Sequence, residues 1–355
     1  MRNLRPLALQ PRERFNVFSG DNGQGKTNLL EAIFVIATLR SFRTSRLADL
    51  VAFGDERAKL GARVLKDELV RLYEVELAAG ARKVTLDGKA VRPLARYFGG
   101  FNVVVFTPED LALPRASPGD RRRFLDRGVF NLRPDYLATA QDYERVLKTR
   151  NTVLRQAGDD PSARRRAEDM LAVYDVQLAA LGAQVIAARL AFLDIVRGEL
   201  ATAFAAITRT GLAVTARYVV RSEAQTADEI AAKLVASRMK DFATHATQAG
   251  PHRDDLVFEL DGHEAGTYAS QGQLRAIMLA WKTAELQVLG RAHGDPPILL
   301  LDDVSSELDP QRNEYLFEHL ATLAGQCFIT TTHPGHVLLR QHRADYRIAK
   351  GEILE

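Results

Sequence analysis

Gly20-Asp21-Asn22-Gly23-Gln24-Gly25-Lys26-Thr27 follows a short strand-like run at 15–18 and precedes helical apolar spacing over 28–39. In a strand, glycine loop, helix unit each of these positions has a physical task. The glycines let backbone N–H groups wrap a phosphate chain, Lys26 neutralises the β and γ oxygens, and the Thr27 hydroxyl can ligate Mg2+. The helix that starts here turns the positive end of its dipole toward the same anion. Gly20, Asp21, Asn22, Gly23, Gln24, Gly25, Lys26 and Thr27 are therefore the expected nucleotide-binding residues.

A bound nucleoside triphosphate also needs a carboxylate to anchor the metal and a group to orient the attacking water. The run Pro-Ile-Leu-Leu-Leu-Asp-Asp at 297–303 reads as a buried strand whose tip supplies both, Asp302 for the metal and Asp303 as general base. Ser270-Gln271-Gly272-Gln273 opens another helix, through 289, and makes a second anion-binding helix end. One chain cannot easily bring that end to a phosphate already wrapped by its own loop, but it can serve a neighbouring copy. An N-capped helix with no ligand is the alternative.

The rest of the chain falls around these motifs. Alternation of apolar and polar residues over 58–91, with Asp87-Gly88 between β-formers, predicts a hairpin meander. A buried strand at 101–106 stops at Thr107-Pro108-Glu109-Asp110, and 113–241 is helical and alanine-rich except near 212–220. Leu171, Tyr174, Leu178, Leu181, Val185, Ala188, Phe192 and Ile195 form a seam at steps of three and four that ends at Gly198, either the core helix of a bundle or a short arm of roughly 40 Å. Strands return at 255–260, 297–301 and 327–331, with a helix at 310–323. An α/β head assembled from both termini, with a helical insertion between, satisfies this order.

Composition bounds the remaining possibilities. The 355 residues are 46% hydrophobic and 26% charged, which fits about two globular domains and excludes disordered and fibrous classes. Cys327 is the one cysteine, placed in an apolar strand, so no internal disulfide framework exists and a reducing compartment is favoured. The apolar cluster at 7–9 is too short for a signal-peptide core, and the apolar tract at 191–207 is broken by Asp194, Arg197 and Glu199, so a cytoplasmic protein is expected. A net charge of +3 does not by itself announce nucleic acid, but arginines cluster at 115–133 and at 164–166. Each run is either a solvated helix face or a phosphate contact.

The glycine loop, Ser270-Gln271-Gly272-Gln273, the Leu-Leu-Leu-Asp302-Asp303 strand and Ser305-Ser306-Glu307-Leu308-Asp309 together resemble the ATP-binding cassette ATPases, in which the last segment is the D-loop. Loop and signature lie further apart than a transporter cassette would hold, and no extended coiled coil marks a long-armed chromosome-maintenance ATPase. Over most of its length the chain resembles the RecF family of bacterial recombination mediators, through Pro108-Glu109-Asp110-Leu111, the run PGDRRRFLD at 118–126 and Gly250-Pro251-His252-Arg253-Asp254.

That resemblance implies an α/β ABC ATPase head, a P-loop core with an antiparallel β subdomain, and an inserted mainly helical second lobe. The ATP-binding lobe would comprise 1–112 and 290–355, and the lobe with the signature 113–289. It further implies ATP and Mg2+ as cofactors, an ATP-dependent homodimer, slow ATP hydrolysis used as a switch, and binding to gapped or junction DNA with little sequence specificity. RecR is the implied partner, with RecO and RecA downstream, and no membrane. Catalytic roles fall on Asp303, Lys26 and Ser270, the metal on Thr27 and Asp302, DNA contact on Arg121, Arg122 and Arg123, and γ-phosphate sensing on His333, which is otherwise a loop residue before Pro334. A cassette ATPase coupled to a nuclease is the rival, and no second carboxylate cluster has an evident two-metal layout.

Some positions depart from the family pattern. The family opens with a β-strand ending in Phe-Arg-Asn, whereas Met1-Arg2-Asn3-Leu4 starts at the end of that motif, so an upstream strand is expected to add stability and ATP affinity. The superfamily places a glutamine near the metal, yet no Gln occurs between Gln24 and Gln141; Glu109 or Asp110 takes that place, or the segment is a strand-ending turn. His252 and Arg253 read as a structural polar pair, with direct ligand contact the alternative.

Overall fold

The computed structural model describes residues 1–354 apart from 45, 67, 79–80, 93–95, 99, 159 and 324. The chain divides into two compact units, one of 1–112, 206–209 and 275–355, the other of 113–205 and 210–274. Along the first stretch run β1 (Phe15–Ser19), α1 (Lys26–Thr38), β2 (Arg57–Lys66), β3 (Leu69–Ala78), β4 (Ala81–Leu86), β5 (Lys89–Ala90), β6 (Val103–Phe106) and α2 (Pro108–Leu111). Then come α3 (Pro118–Leu132), α4 (Tyr136–Ala157), α5 (Pro161–Thr208), β7 (Val214–Val219), α6 (Ala227–Ala236), α7 (Arg238–Thr244), β8 (Asp255–Leu260), β9 (His263–Glu264) and α8 (Ala265–Tyr268). The last stretch holds α9 (Gln271–His293), β10 (Ile298–Asp302), α10 (Pro310–Leu323), β11 (Cys327–Thr331), β12 (Arg343–Ala349) and β13 (Glu352–Leu354).

In the first unit a six-stranded sheet has the order β13-β12-β1-β11-β10-β6. All its pairings are parallel except β12 with β13. Its central strands are apolar runs buried along their length, Phe15, Val17 and Phe18 in β1 and Leu299 to Leu301 in β10, as expected of a parallel sheet covered on both faces. Parallel strands put all their C-terminal ends on one edge, where open α/β sheets bind ligands. A second, antiparallel sheet, β2-β3-β4-β5, buries Leu60, Tyr73, Val75, Leu77 and Val84 on one face. Asp87 and Gly88 both have positive φ, 52° and 75°, the conformation a two-residue hairpin turn demands. Cys327 is buried in β11, and burial pushes its thiol up to about 12.

The sequence predicts a helical lobe running to 289, but the second unit ends at Leu274. The cause is packing: Leu279 and Leu286 of α9 line a small cavity with Phe106, Leu299 and Leu316, all in the first unit.

The second unit contains six of the helices together with the sheet β7-β8-β9. Its longest helix, α5, spans 48 residues, well past Gly198. Leu171, Leu178 and Phe192 are buried as the seam predicts, but Ile195 is 51% exposed while Val196 and Leu200 are fully buried. A straight helix of 3.6 residues per turn drifts off a 3.5-residue seam, so this is a core helix of a lobe and not a coiled-coil arm. By length and composition α5 is also apolar enough to cross a membrane, which the broken apolar tract does not suggest. Arg189 within it is nonetheless buried and pairs with Asp126 at 2.8 Å.

A buried polar network around Arg150 holds this unit. Arg150, fully buried, donates to Asp175 at 2.7 Å and to Thr247 at 2.8 Å and pairs with Asp241 at 2.8 Å. Burial raises the pKa of Asp241, and Arg150 pulls it back. Replacing one partner of a buried pair leaves an uncompensated charge, which costs about 3–5 kcal/mol. Arg150→Met should lower stability by about that amount at neutral pH. Without the guanidinium that lowers it, the Asp241 pKa should rise further in the variant, so the variant takes up a proton on folding and its deficit should shrink as pH falls. Urea denaturation at neutral and mildly acidic pH checks both, and a deficit independent of pH would contradict the assignment.

Candidate functional site

Five segments meet the C-terminal edge of the six-stranded sheet. Loop 20–25 follows β1, Thr107 to Glu109 follows β6, Asp302-Asp303 ends β10, Thr332-His333 follows β11, and the Lys350-Gly351 turn follows β12. The loop needs glycine for space and for conformation. A Cβ on Gly20 would sit 2.2 Å from the Ile348 carbonyl oxygen, and Gly25, the N-cap of α1, has φ +110°. The loop is also braced from outside, since the Asn3 amide donates to Gly23 O at 2.6 Å and the Lys350 N–H donates to the Gln24 side-chain oxygen at 2.6 Å.

Lys26 is 7% exposed and its Nζ donates to Gly20 O at 2.6 Å and Asp21 O at 2.9 Å, which holds the ammonium at the mouth of the loop. Burial lowers its pKa, while Asp303, Asp302 and Asp21 oppose the shift. The Thr27 hydroxyl donates to Asp302 Oδ1 at 2.8 Å, and the Thr330 hydroxyl donates to the same oxygen at 2.7 Å. Burial raises the Asp302 pKa; the two hydroxyls lower it, and the charges of Glu109 and Asp303 raise it again.

Asp303 sits at φ 49°, a left-handed conformation that non-glycine residues adopt at a cost and that clusters at functional sites. Its backbone N–H donates to the Thr330 hydroxyl at 3.1 Å, and its buried Oδ1 has no hydrogen-bond partner. An orphaned carboxylate oxygen beside a buried Asp-Thr pair suits a hydrated cation. Among the described residues no group of three His, Cys, Asp or Glu side chains could hold a metal by itself. That fits Mg2+, which is typically bound by one or two protein carboxylates plus the phosphates of a substrate.

His333 is exposed at the end of β11, edge-on to His336 with ring centroids 5.4 Å apart. In the second unit the Ser270 N–H donates to the Gln273 side chain at 2.8 Å and the Gln273 N–H donates to Ser270 Oγ at 3.2 Å, a capping box at the exposed start of α9. Gln271 and Gly272 lie between them in the first turn.

The arginine run separates into different roles. Arg121 is buried, makes a bidentate pair with Asp255 at 2.9 and 2.7 Å and donates to Ala116 O at 2.7 Å, so it is a structural residue and not a DNA contact. Arg122 is half-buried and donates to Asp254 O at 2.7 Å. Arg123 alone of the three is exposed, beside Asp120. His252 is structural: its Nε2 donates to Thr247 O at 3.0 Å, its Nδ1 accepts from the Tyr143 hydroxyl at 2.6 Å, and burial pushes it down to about 4, so it is neutral. Asp110 is buried, accepts from the Thr107 N–H at 3.2 Å and lies 3.8 Å from Lys282, which leaves Glu109 as the exposed carboxylate of that turn. Thr330 and the Lys350 brace were not foreseen. Thr330 lies in the run Thr330-Thr331-Thr332, a weak signal, while the brace has none because it joins residues far apart in sequence.

Gly20→Ala should collapse this loop by driving a methyl into the Ile348 carbonyl, with a loss of more than about 2 kcal/mol. Gly335→Ala, with open space around its Cβ, should be nearly neutral. Thermal melts of the two variants check this, and equal melting temperatures would contradict the close approach.

Comparison with known proteins places this geometry. The family model for the RecF/RecN/SMC N terminal domain matches residues 1–351. The DNA replication and repair protein RecF of Myxococcus xanthus (strain DK1622) is 41% identical over 340 residues, 93% of this chain and 88% of that protein. Two solved structures of the recombination mediator protein RecF in the RecFOR pathway, RecF-ATPrS and RecF-ATP, superpose with TM-scores of 0.89 and 0.88. Each is 29% identical and covers 99% of this chain and 94% of its own.

Proposed function

This chain belongs to the RecF/RecN/SMC family, among the RecF DNA replication and repair proteins, and on that premise we propose that it is an ATP-switched, DNA-binding recombination mediator. The observation that carries the reading is the Thr27–Asp302 bond at the mouth of a glycine loop whose lysine is already held in place. The RecF structures named for ATP and for the RecFOR pathway support ATP as the nucleotide and RecR and RecO as pathway partners.

In this reading the loop N–H groups and Lys26 hold the β and γ oxygens, and Thr27 and Asp302 hold Mg2+. Bound there, the cation would supply positive charge against the phosphate oxygens. Asp303, with its unpartnered Oδ1, orients the attacking water and accepts its proton. His333, at the end of β11, senses the γ-phosphate. Ser270 to Gln273 of a second copy close over that phosphate, so ATP joins two subunits and hydrolysis releases them, a population shift driven by differential affinity. The dimer holds gapped or junction DNA mainly through phosphates, hence salt-sensitively. Arg123 and, less freely, Arg122 remain available for that contact. RecR would then direct RecA to the gap.

Sedimentation with ATP, Mg2+ and gapped DNA tests the reading. The natural chain should dimerise only with ATP. Lys26→Ala should neither bind ATP nor dimerise, whereas Ser270→Arg should keep ATP binding and lose the dimer. A lone particle at saturating non-hydrolysable ATP analogue, with DNA present, would overturn the proposal. Asp303→Asn should bind ATP and form a long-lived dimer with turnover reduced by about a hundredfold or more. Ordinary turnover in that variant would remove Asp303 as base.

A further inference from the structure

The turn that runs into Ser270 is pinned from one side. Arg115 donates from Nε to Gly266 O at 3.0 Å and from Nη2 to Ala269 O at 2.7 Å, so a single guanidinium grips two carbonyls of that turn. Gly266 lets the turn close on its support, because a Cβ there would sit 2.3 Å from the Pro114 carbonyl oxygen. The support is itself held: Arg121, locked to Asp255, donates to Ala116 O at 2.7 Å. The run PGDRRRFLD thus contributes a brace for residues 265–270, and brace and turn both lie in the second unit. Ala265 and Ala269 are buried against the lobe, whereas Tyr268 between them is 72% exposed. Its ring stands edge-on to His263, with centroids 5.6 Å apart.

We propose that Tyr268 is an anchor of the interface with a second copy of this chain, presented by the Arg115 clamp on the same rim as Ser270. The inference rests on the reading in which Ser270 to Gln273 meet a neighbour's nucleotide, and it supplies the apolar contact which that meeting needs. Two residues of chain span at most about 7 Å, so a partner that seats on Ser270 also covers Tyr268. Ser270, Gln271, Gly272 and Gln273 offer hydrogen-bonding groups and little apolar area, while a tyrosine ring buries about 150–250 Å2 and keeps a hydroxyl for the polar margin. Tyrosine is among the residues that carry most of the energy of protein interfaces. A ring displayed on a clamped turn also loses little freedom when a partner covers it.

Sedimentation velocity of the full chain with Mg2+ and a non-hydrolysable ATP analogue reads the dimer dissociation constant. Analogue binding at protein concentrations well below that constant reads the affinity of a single copy. Tyr268→Ala should weaken the dimer by about thirtyfold and leave single-copy affinity and melting temperature unchanged. Tyr268→Phe keeps the ring and should stay within about threefold of the natural chain. Arg115→Leu, which frees both carbonyls, should weaken the dimer by about tenfold. Arg115→Lys should recover part of that loss, because an ammonium cannot grip both carbonyls as the planar fork does. Undiminished dimerisation in Tyr268→Ala, or a loss of single-copy affinity in step with the dimer, would overturn the proposal. If Ser270→Arg lost the dimer while Tyr268→Ala kept it, the anchor role alone would fall. If the natural chain stayed single with the analogue, the reading on which the anchor rests would fall first.

Discussion

The hydrogen bond from Thr27 to Asp302 joins residues 275 positions apart and ties the glycine loop to the tip of β10. Thr27 sits one loop beyond β1 and Asp302 ends β10, and β11 lies between those strands. Thr330 of β11 fills the gap by donating to the same carboxylate oxygen. Three parallel strands must therefore be in register before the carboxylate finds its hydroxyls. Until then a buried aspartate would have nothing to offset its desolvation. Parallel pairing between chain termini has a large loop-closure cost, so the folding of this unit should be limited by the same contact that makes the site.

How much of this could be read in the sequence depends on distance along the chain. The glycine loop, the Leu-Leu-Leu-Asp-Asp strand tip and the Asp87-Gly88 hairpin are legible because each has its physical cause within a few residues. The edge on which the first two meet follows from the strand-helix-strand order at both ends. The brace between Gln24 and Lys350, the part played by Thr330 and the end of the helical lobe at Leu274 are not legible, because each is settled by a partner far away in sequence. The α5 seam fails for a different reason. A heptad and a straight amphipathic helix stay close for about six turns from Leu171 and diverge after Phe192, where Val196 replaces Ile195 in the core.

The buried arginines show how charge in a sequence misleads. Arg121, Arg150 and Arg189 look like surface residues on helices, yet all three are buried, and each is answered by aspartates from another element: Asp255, Asp175 with Asp241, and Asp126. The segments 118–126 and 250–255 are two halves of one such arrangement, in which Arg121 meets Asp255, Arg122 meets the Asp254 carbonyl, and Asp254 accepts from Tyr218. Guanidinium suits this work because its planar fork satisfies a carboxylate and further acceptors at once. Such pairs need not add net stability over an apolar core. They do penalise misalignment, and so fix the register of helices against β8 in a lobe rich in alanine.

At the nucleotide edge the charge balance runs the other way. One buried ammonium, Lys26, faces Asp21, Asp302 and Asp303, with Glu109 bearing on Asp302 from the neighbouring strand. A polyanionic ligand would meet net repulsion there unless a divalent cation arrived with it, so cation and nucleotide affinity are linked by electrostatics. The linkage also makes hydrolysis informative. In the proposed reading, loss of the terminal phosphate would leave fewer oxygens to share a cation held by Thr27 and Asp302, and the acidic edge would repel what is left. A switch needs one ligand state to be held and its product to be released, and an edge with more carboxylates than cations would favour that asymmetry.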